Sequence, residues 1–233
     1  MNDDLTEFFV ARGPLPGRPF TGLTVLVVED SRFACEAMRA LCLRSGARIR
    51  RADCLRSARR HLQTYRPTIV IVDLGLPDGS GLELIAEMSE KSLRAPVILA
   101  TSGDPDLAQA ALAAGADGFL AKPIESLAGF QTTVLAALPS CNTKLARSCD
   151  LGDQITPDLI ALRDDLAHAA RLLDDGPDDG ALDYIAQFLS GVAASAHDRP
   201  LADAARDLAR NHGVSVNRVS DLVQDRLATG AAF

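Results

Sequence analysis

No apolar run in the chain approaches the ~20 residues needed to cross a bilayer, and the opening MNDDLTEFFVARG has neither a basic leader nor an apolar stretch of the signal-peptide kind. No membrane span or export signal is expected, and a cytoplasmic location follows by default. Cysteine is scarce: Cys35, Cys42, Cys54, Cys141 and Cys149 are odd in number and form no CxxC pair. Neither a disulfide framework nor a zinc site is indicated. Lysine is missing altogether after residue 150, where seven arginines face 14 aspartates, a balance of -7 that equals the net charge of the whole chain. Residues 1–150 are balanced at 17 basic and 17 acidic side chains. An acidic second half is a poor match for a phosphate backbone, so DNA is an unlikely partner.

The 233 residues, 47% of them hydrophobic, are enough for one large or two small packed units. Residues 1–22 contain PLPGRP and little periodicity, and read as an arm or irregular lead-in. Short β-branched runs then alternate with helical patterns. Strands are expected at 24–28, 47–50, 68–72, 96–100 and 117–121, and helices at 31–45, 54–65, 80–91, 105–114 and 125–138. Continuous apolar strands alternating with helices predict an α/β unit, a doubly wound five-stranded parallel sheet covered on both faces. The second strand differs, because Arg48, Arg50 and Arg51 surround Ile49. Such charge suits a sheet edge.

In this architecture ligands gather beyond the carboxyl ends of the strands. Those ends carry Glu29-Asp30, Asp73, Thr101-Ser102 and Lys122-Pro123. The glycines at 79 and 81 are no dinucleotide fingerprint, since the third glycine is missing and they follow a loop. Converging carboxylates repel one another, and a raised pKa or a divalent cation relieves the repulsion. An oxygen-only set with few protein ligands points to Mg2+. Asp73 would then be ligand and nucleophile together, attacking a phosphoryl group to form an acyl phosphate. Lys122 and the Thr101 hydroxyl would meet the phosphoryl oxygens, with Ser102 as a competitor for the hydroxyl role. Taken singly, each of these groups has an ordinary explanation: a surface acid, a solvated lysine, a turn aspartate. Their joint placement is what carries the chemistry.

Together VLVVEDS at 25–31, DLGLPDGSG at 73–81, PVILATSG at 96–103 and GFLAKP at 118–123 resemble a response regulator receiver domain. The resemblance implies a flavodoxin-like fold with Asp73 as phosphoacceptor and Glu29 and Asp30 as its acidic pocket. It further implies the Gly75 carbonyl as a magnesium ligand, Thr101 and Lys122 as the hydroxyl and lysine, and Phe119 at the aromatic switch position. The expected organisation is an arm at 1–22, a receiver at 23–139, a linker at 140–153 and a small all-α bundle at 154–233.

In that last segment, helical spacing covers 157–173, 180–195, 200–211 and 215–228. A helix-turn-helix over 200–228 is the alternative output, but Asp221 and Asp225 offset Arg218 and Arg226 on its second helix. The stretch from Ala181 also weakly resembles a histidine phosphotransfer domain, with Gln187 at the histidine's place and Ser190 at the lysine's. A degenerate phosphotransfer module would follow, one that docks but cannot carry a phosphoryl group. An unrelated dimerisation or protein-binding bundle is equally compatible. His168, His197 and His212 do not align with a relay site. The sequence thus predicts a two-component protein phosphorylated on Asp73 by a histidine kinase or phosphotransfer protein. Mg2+ would be its cofactor, a homodimer is allowed, and phosphoryl acceptance with slow self-hydrolysis would be its only catalysis.

Overall fold

The computed structural model describes residues 17–90, 95–138, 155 and 158–229, apart from the side chains of 212–214. The expected linker at 140–153 lies outside the described residues. A five-stranded parallel sheet forms from β1 (Thr24–Val28), β2 (Arg48–Ala52), β3 (Ile69–Asp73), β6 (Val97–Ser102) and β7 (Gly118–Ala121), in the order β2-β1-β3-β6-β7. Between β3 and the next helix, β4 (Gly75–Leu76) and β5 (Gly79–Ser80) make a two-residue antiparallel ribbon where only a loop was expected. Connecting helices are α1 (Arg32–Arg44), α2 (Leu55–Thr64), α3 (Gly81–Glu90), α4 (Ala108–Ala113) and α5 (Leu127–Ala137).

Side-chain alternation divides the core around the sheet. Leu26, Val28, Val70, Val72, Ile98 and Ala100 face one way, against Leu55, Leu84 and Ala111 of α2, α3 and α4. Val25, Val27, Ile69, Ile71, Val97 and Leu99 face the other, against Met38, Leu41, Phe130 and Val134 of α1 and α5. Burial on both faces is why these strands read as unbroken apolar runs. As expected, β2 takes an edge, with Arg48, Arg50 and Arg51 exposed. The expected helix over 105–114 is instead a 3-10 turn, Pro105–Leu107, followed by a six-residue α4. Pro105 sits at the first turn and Asp104 accepts from Asp106 N–H, which fixes a tight start in place of a full α-turn. From residue 17 the lead-in is anchored: Phe20 is fully buried, packs edge-on against Phe130, and donates its N–H to the Ser45 carbonyl.

Four further helices follow, α6 (Leu159–Asp174), α7 (Asp179–Ser195), α8 (Arg199–Arg210) and α9 (His212–Thr229). They pack around Leu162, Leu166, Ile185, Leu189, Leu201 and Val219. Asp158, Asp178 and Asp198 are the N-caps of α6, α7 and α8, each accepting backbone N–H groups that the helix leaves unpaired. Their charge also faces the positive end of the helix dipole. The bundle core extends into the sheet unit, because Phe33 of α1 belongs to it.

Asp198 is buried and also receives Arg226 of α9 at 2.9 and 3.3 Å, so one carboxylate starts α8 and ties down α9. Asp198→Ala should lower bundle stability by about 3 kcal/mol, combining a lost cap with a broken buried pair. Urea unfolding monitored by circular dichroism tests this, and a loss under about 1 kcal/mol would contradict the double role.

Candidate functional site: an acidic pocket at the carboxyl edge of the sheet

β1 ends at Val28, so Glu29 and Asp30 emerge on the edge beside Asp73, the last residue of β3. Asp73 pairs in register with Thr101 of β6, which puts these two side chains on one face of the sheet. Glu29, Asp30 and Asp73 each offer an oxygen within 4.8 Å of the other two. Lys122, one residue past β7, places Nζ 2.8 Å from Glu29 Oε2 and 3.2 Å from Asp73 Oδ1. Its backbone N–H is held by the Ser102 carbonyl. All four sequence-predicted charged residues therefore share one pocket, and Glu29, Asp73 and Lys122 are buried.

One ammonium cannot balance three carboxylates. Burial first, and then the Asp73 charge, raise the Glu29 pKa to about 7. Burial and the Glu29 charge raise Asp30 to about 7. Burial also lifts Asp73 to about 6, against the pull of Lys122. Burial disfavours the Lys122 ammonium, yet Asp73 and Glu29 outweigh it and hold the lysine charged. Near neutrality the pocket thus retains protons that a divalent cation could replace.

The donor set suits such an ion. It is made of hard oxygens, and Asp30 Oδ1 is buried with no hydrogen-bond partner, an uncompensated acceptor of the kind a cation satisfies. Gly75 lies two residues beyond Asp73 in the short ribbon, buried and paired with Ser80. The Thr101 hydroxyl donates to the Leu120 carbonyl at 2.8 Å, so it must rotate to meet a phosphoryl oxygen. Ser102, its competitor, accepts from Asp104 N–H at 3.1 Å and is engaged in the turn. Phe119 is half-buried at the margin of the α2–α3–α4 core, outside the acidic cluster.

The sequence reading missed what covers this pocket. Tyr184 of α7 donates to Asp30 Oδ2 at 2.6 Å. A Cβ added at Gly75 would run into the Gln187 side chain, so that amide lies against the ribbon. A Cβ at Gly191 would stand 3.2 Å from Lys122 Nζ, and one at Gly103 would meet the Ser190 carbonyl. Asp165 of α6 accepts from Ser31 Oγ and from the N–H groups of Arg32 and Phe33 at 2.7, 2.9 and 3.0 Å, capping α1 from the other domain. The only available signal was that α1 begins with Ser31-Arg32-Phe33 and brings no acid of its own in its first turn. The exposed His197 pairs with Glu125, and His168 packs edge-on against Phe188.

Residues 25–131 match the response regulator receiver domain family. KdpE, the KDP operon transcriptional regulatory protein of Escherichia coli K12, is 35% identical over 42% of this chain and 44% of its own length. PhoP, the virulence transcriptional regulatory protein of Salmonella typhimurium, is 36% identical over 43% of this chain and 46% of its own. The chain thus spans less than half of these relatives. A solved signal receiver domain of a signal transduction histidine kinase from Syntrophus aciditrophicus is 25% identical, with a TM-score of 0.46 over 56% of this chain and 99% of that one. The matched segment covers the parallel sheet and its helices, and the bundle from residue 159 on lies beyond it. Both relatives are transcriptional regulators by name, which lends no support to the expectation that DNA is an unlikely partner.

Carboxylates whose folded pKa lies above the usual ~4 favour the folded state fully below that value and lose this contribution as pH rises through the folded pKa. With folded values of about 6 to 7, the metal-free protein should lose stability between pH ~4 and ~7. Mg2+ should then raise the melting temperature more at pH 8 than at pH 5. Scanning calorimetry at both pH values decides; equal shifts would contradict a proton-for-metal exchange.

Proposed function

We propose that this chain is a two-component response regulator that accepts a phosphoryl group on Asp73 from a histidine kinase or phosphotransfer protein. The supporting observation is the pocket itself: Asp73 beside Glu29 and Asp30, with Lys122 Nζ on two of the three carboxylates and Thr101 in register on the next strand. Glu29, Asp30 and Asp73, joined by the Gly75 carbonyl, would hold Mg2+. When bound, that ion supplies charge neutralisation for the phosphoryl oxygens.

An Asp73 carboxylate oxygen attacks phosphorus, the bond from phosphorus to the donor breaks, and the donor leaves with that electron pair. Lys122 turns from Asp73 toward a phosphoryl oxygen. The Thr101 hydroxyl leaves the Leu120 carbonyl to donate to another. Both movements pull on the β6–α4 and β7–α5 connections, and the half-buried Phe119 sits on β7 between them. Water later hydrolyses the acyl phosphate, so catalysis here is limited to phosphoryl acceptance and slow self-hydrolysis. A cytoplasmic setting accords with this donor chemistry, and none of the described helices is long and apolar enough to cross a membrane.

For the output, a protein-interaction bundle is the better reading. Gln187, at the place a phosphotransfer domain gives to histidine, lies against the receiver pocket, which suits a degenerate module that docks without carrying a phosphoryl group. The names of the relatives favour a second reading, a DNA-binding output over 200–228. Against it, Asn211 alone separates α8 from α9, where a helix-turn-helix uses a turn of three or four residues. Arg218 and Arg226 are moreover engaged by Asp207 and by Asp198 and Asp225. Electrophoretic mobility shift at low salt separates the two outputs.

Asp73→Asn should abolish the Mg2+-dependent mass gain of one phosphoryl group from acetyl phosphate. Continued labelling of that variant would move the acceptor elsewhere. Lys122→Ala should still label, while losing the change in deuterium exchange that phosphorylation causes outside the pocket; an unaltered exchange response would remove Lys122 from the switch.

A further inference from the structure

Tyr184, Gln187 and Gly191 stand at i, i+3 and i+7 of α7 and so lie along one side of that helix. That side crosses the whole pocket, meeting Asp30, the ribbon at Gly75 and the Lys122 ammonium in turn. Glycine occurs at the points of closest approach, Gly75 and Gly103 on the receiver and Gly191 on α7, where a side chain would collide with the opposite domain. α6 fastens the arrangement: its Asp165 caps α1, its Asp164 meets Arg32 at 2.6 Å, and Phe33 is received into the bundle core. Asp73 is left 7% exposed.

Two cavities flank the cover. One of about 590 Å3 reaches Asp30 between Arg51 and Asp165. The other, about 210 Å3, reaches Glu29 and Lys122 beside α1. Asp73 is in the lining of neither. Ions and water can thus reach the acids from the side, whereas a phosphodonor has to present phosphorus directly to an Asp73 oxygen, where α7 lies.

We propose that the receiver face formed by the start of α1, the 75–76 strand and Gly103 is a docking surface for a helical bundle, and that this chain's own α6 and α7 occupy it in cis, in competition with any phosphodonor. The proposal rests on the reading of Asp73 as phosphoacceptor and adds how that site is regulated. The closed form binds a divalent ion but takes up phosphoryl slowly. A protein donor reaches Asp73 only after α7 lifts, and phosphorylation in turn keeps α7 off, because the new group fills the space beneath Gln187 and draws Lys122 away from Gly191. Release exposes the side of α7 that bears Tyr184 and Gln187, together with the start of α1.

The test compares the parent chain with Asp165→Asn, which replaces one of the two oxygens that accept from α1 by an NH2 group, and with Gly191→Leu, which sets a side chain against Lys122. Hydrogen–deuterium exchange at 31–35 and 182–192 reports docking, intact mass reports labelling by acetyl phosphate, and calorimetry reports Mg2+ binding. Both variants should exchange faster at these segments, bind Mg2+ within about twofold of the parent, and label at least about tenfold faster, the factor equivalent to about 1.4 kcal/mol. Faster exchange with labelling at the parental rate overturns the proposal. So does unchanged protection of 182–192 in both variants, since it would mean that these contacts do not hold α7 in place. Absence of label in all three proteins, with α7 shown open by exchange, sinks the phosphoacceptor reading instead, and the docking contact is then judged on exchange alone.

Discussion

Everything at the carboxyl edge of the sheet follows from a charge imbalance: three clustered carboxylates, two of them buried, face a single ammonium. Lys122 reaches Glu29 and Asp73, while Asp30 is left with a tyrosine hydroxyl on one oxygen and nothing on the other. Such a cluster has to hold protons, a cation or both, because unpaired charge away from water is costly. The pocket is therefore poised before any ligand arrives. A divalent ion would supply the missing positive charge, and the negative charge of a phosphoryl group on Asp73 would re-aim the lysine, which would link chemistry at Asp73 to movement of the loop that carries Lys122.

The acidity of the second half looks different once its aspartates are placed. Asp158, Asp178 and Asp198 begin three helices, Asp198 also fixes Arg226, and Asp165 accepts from the start of α1. Much of that charge is thus spent on helix termini and cross-helix pairs inside the protein and is not displayed as a uniform negative surface. Net charge alone therefore says little about which partners the bundle's surface accepts. Arg218 and Arg226 are likewise engaged by neighbouring aspartates, Asp207 and Asp198.

The sheet was legible in the sequence because its three inner strands are buried on both faces, so that Ile69–Val72 and Val97–Ala100 read as continuous apolar runs. The pocket was legible for a related reason: a polar residue that ends such a run has little to do except face the edge. The start of α4 was not, because Pro105 and the Asp104 cap convert the expected helical turn into a 3-10 turn by local hydrogen bonding that periodicity does not register. Nor was the docking of the bundle. Tyr184 meets Asp30 across 154 residues and Asp165 meets Ser31 across 134, and no local pattern encodes a contact of that separation. Gln187 was noticed only as a residue that could not perform a histidine's chemistry, while its place in the structure is against the ribbon beside Asp73.

The central claim is that Asp73, Glu29, Asp30 and Lys122 form one site for a divalent ion and a phosphoryl group. Its most direct measurement is a crystal structure of the full chain grown with Mn2+ and beryllium trifluoride, using the anomalous signal of manganese to locate the ion. The account predicts manganese bound in the cluster of Glu29, Asp30 and Asp73, trifluoride on an Asp73 oxygen, and Lys122 and the Thr101 hydroxyl turned toward fluorine. Manganese bound elsewhere, or an Asp73 left free with Lys122 still bridging it to Glu29, would contradict it.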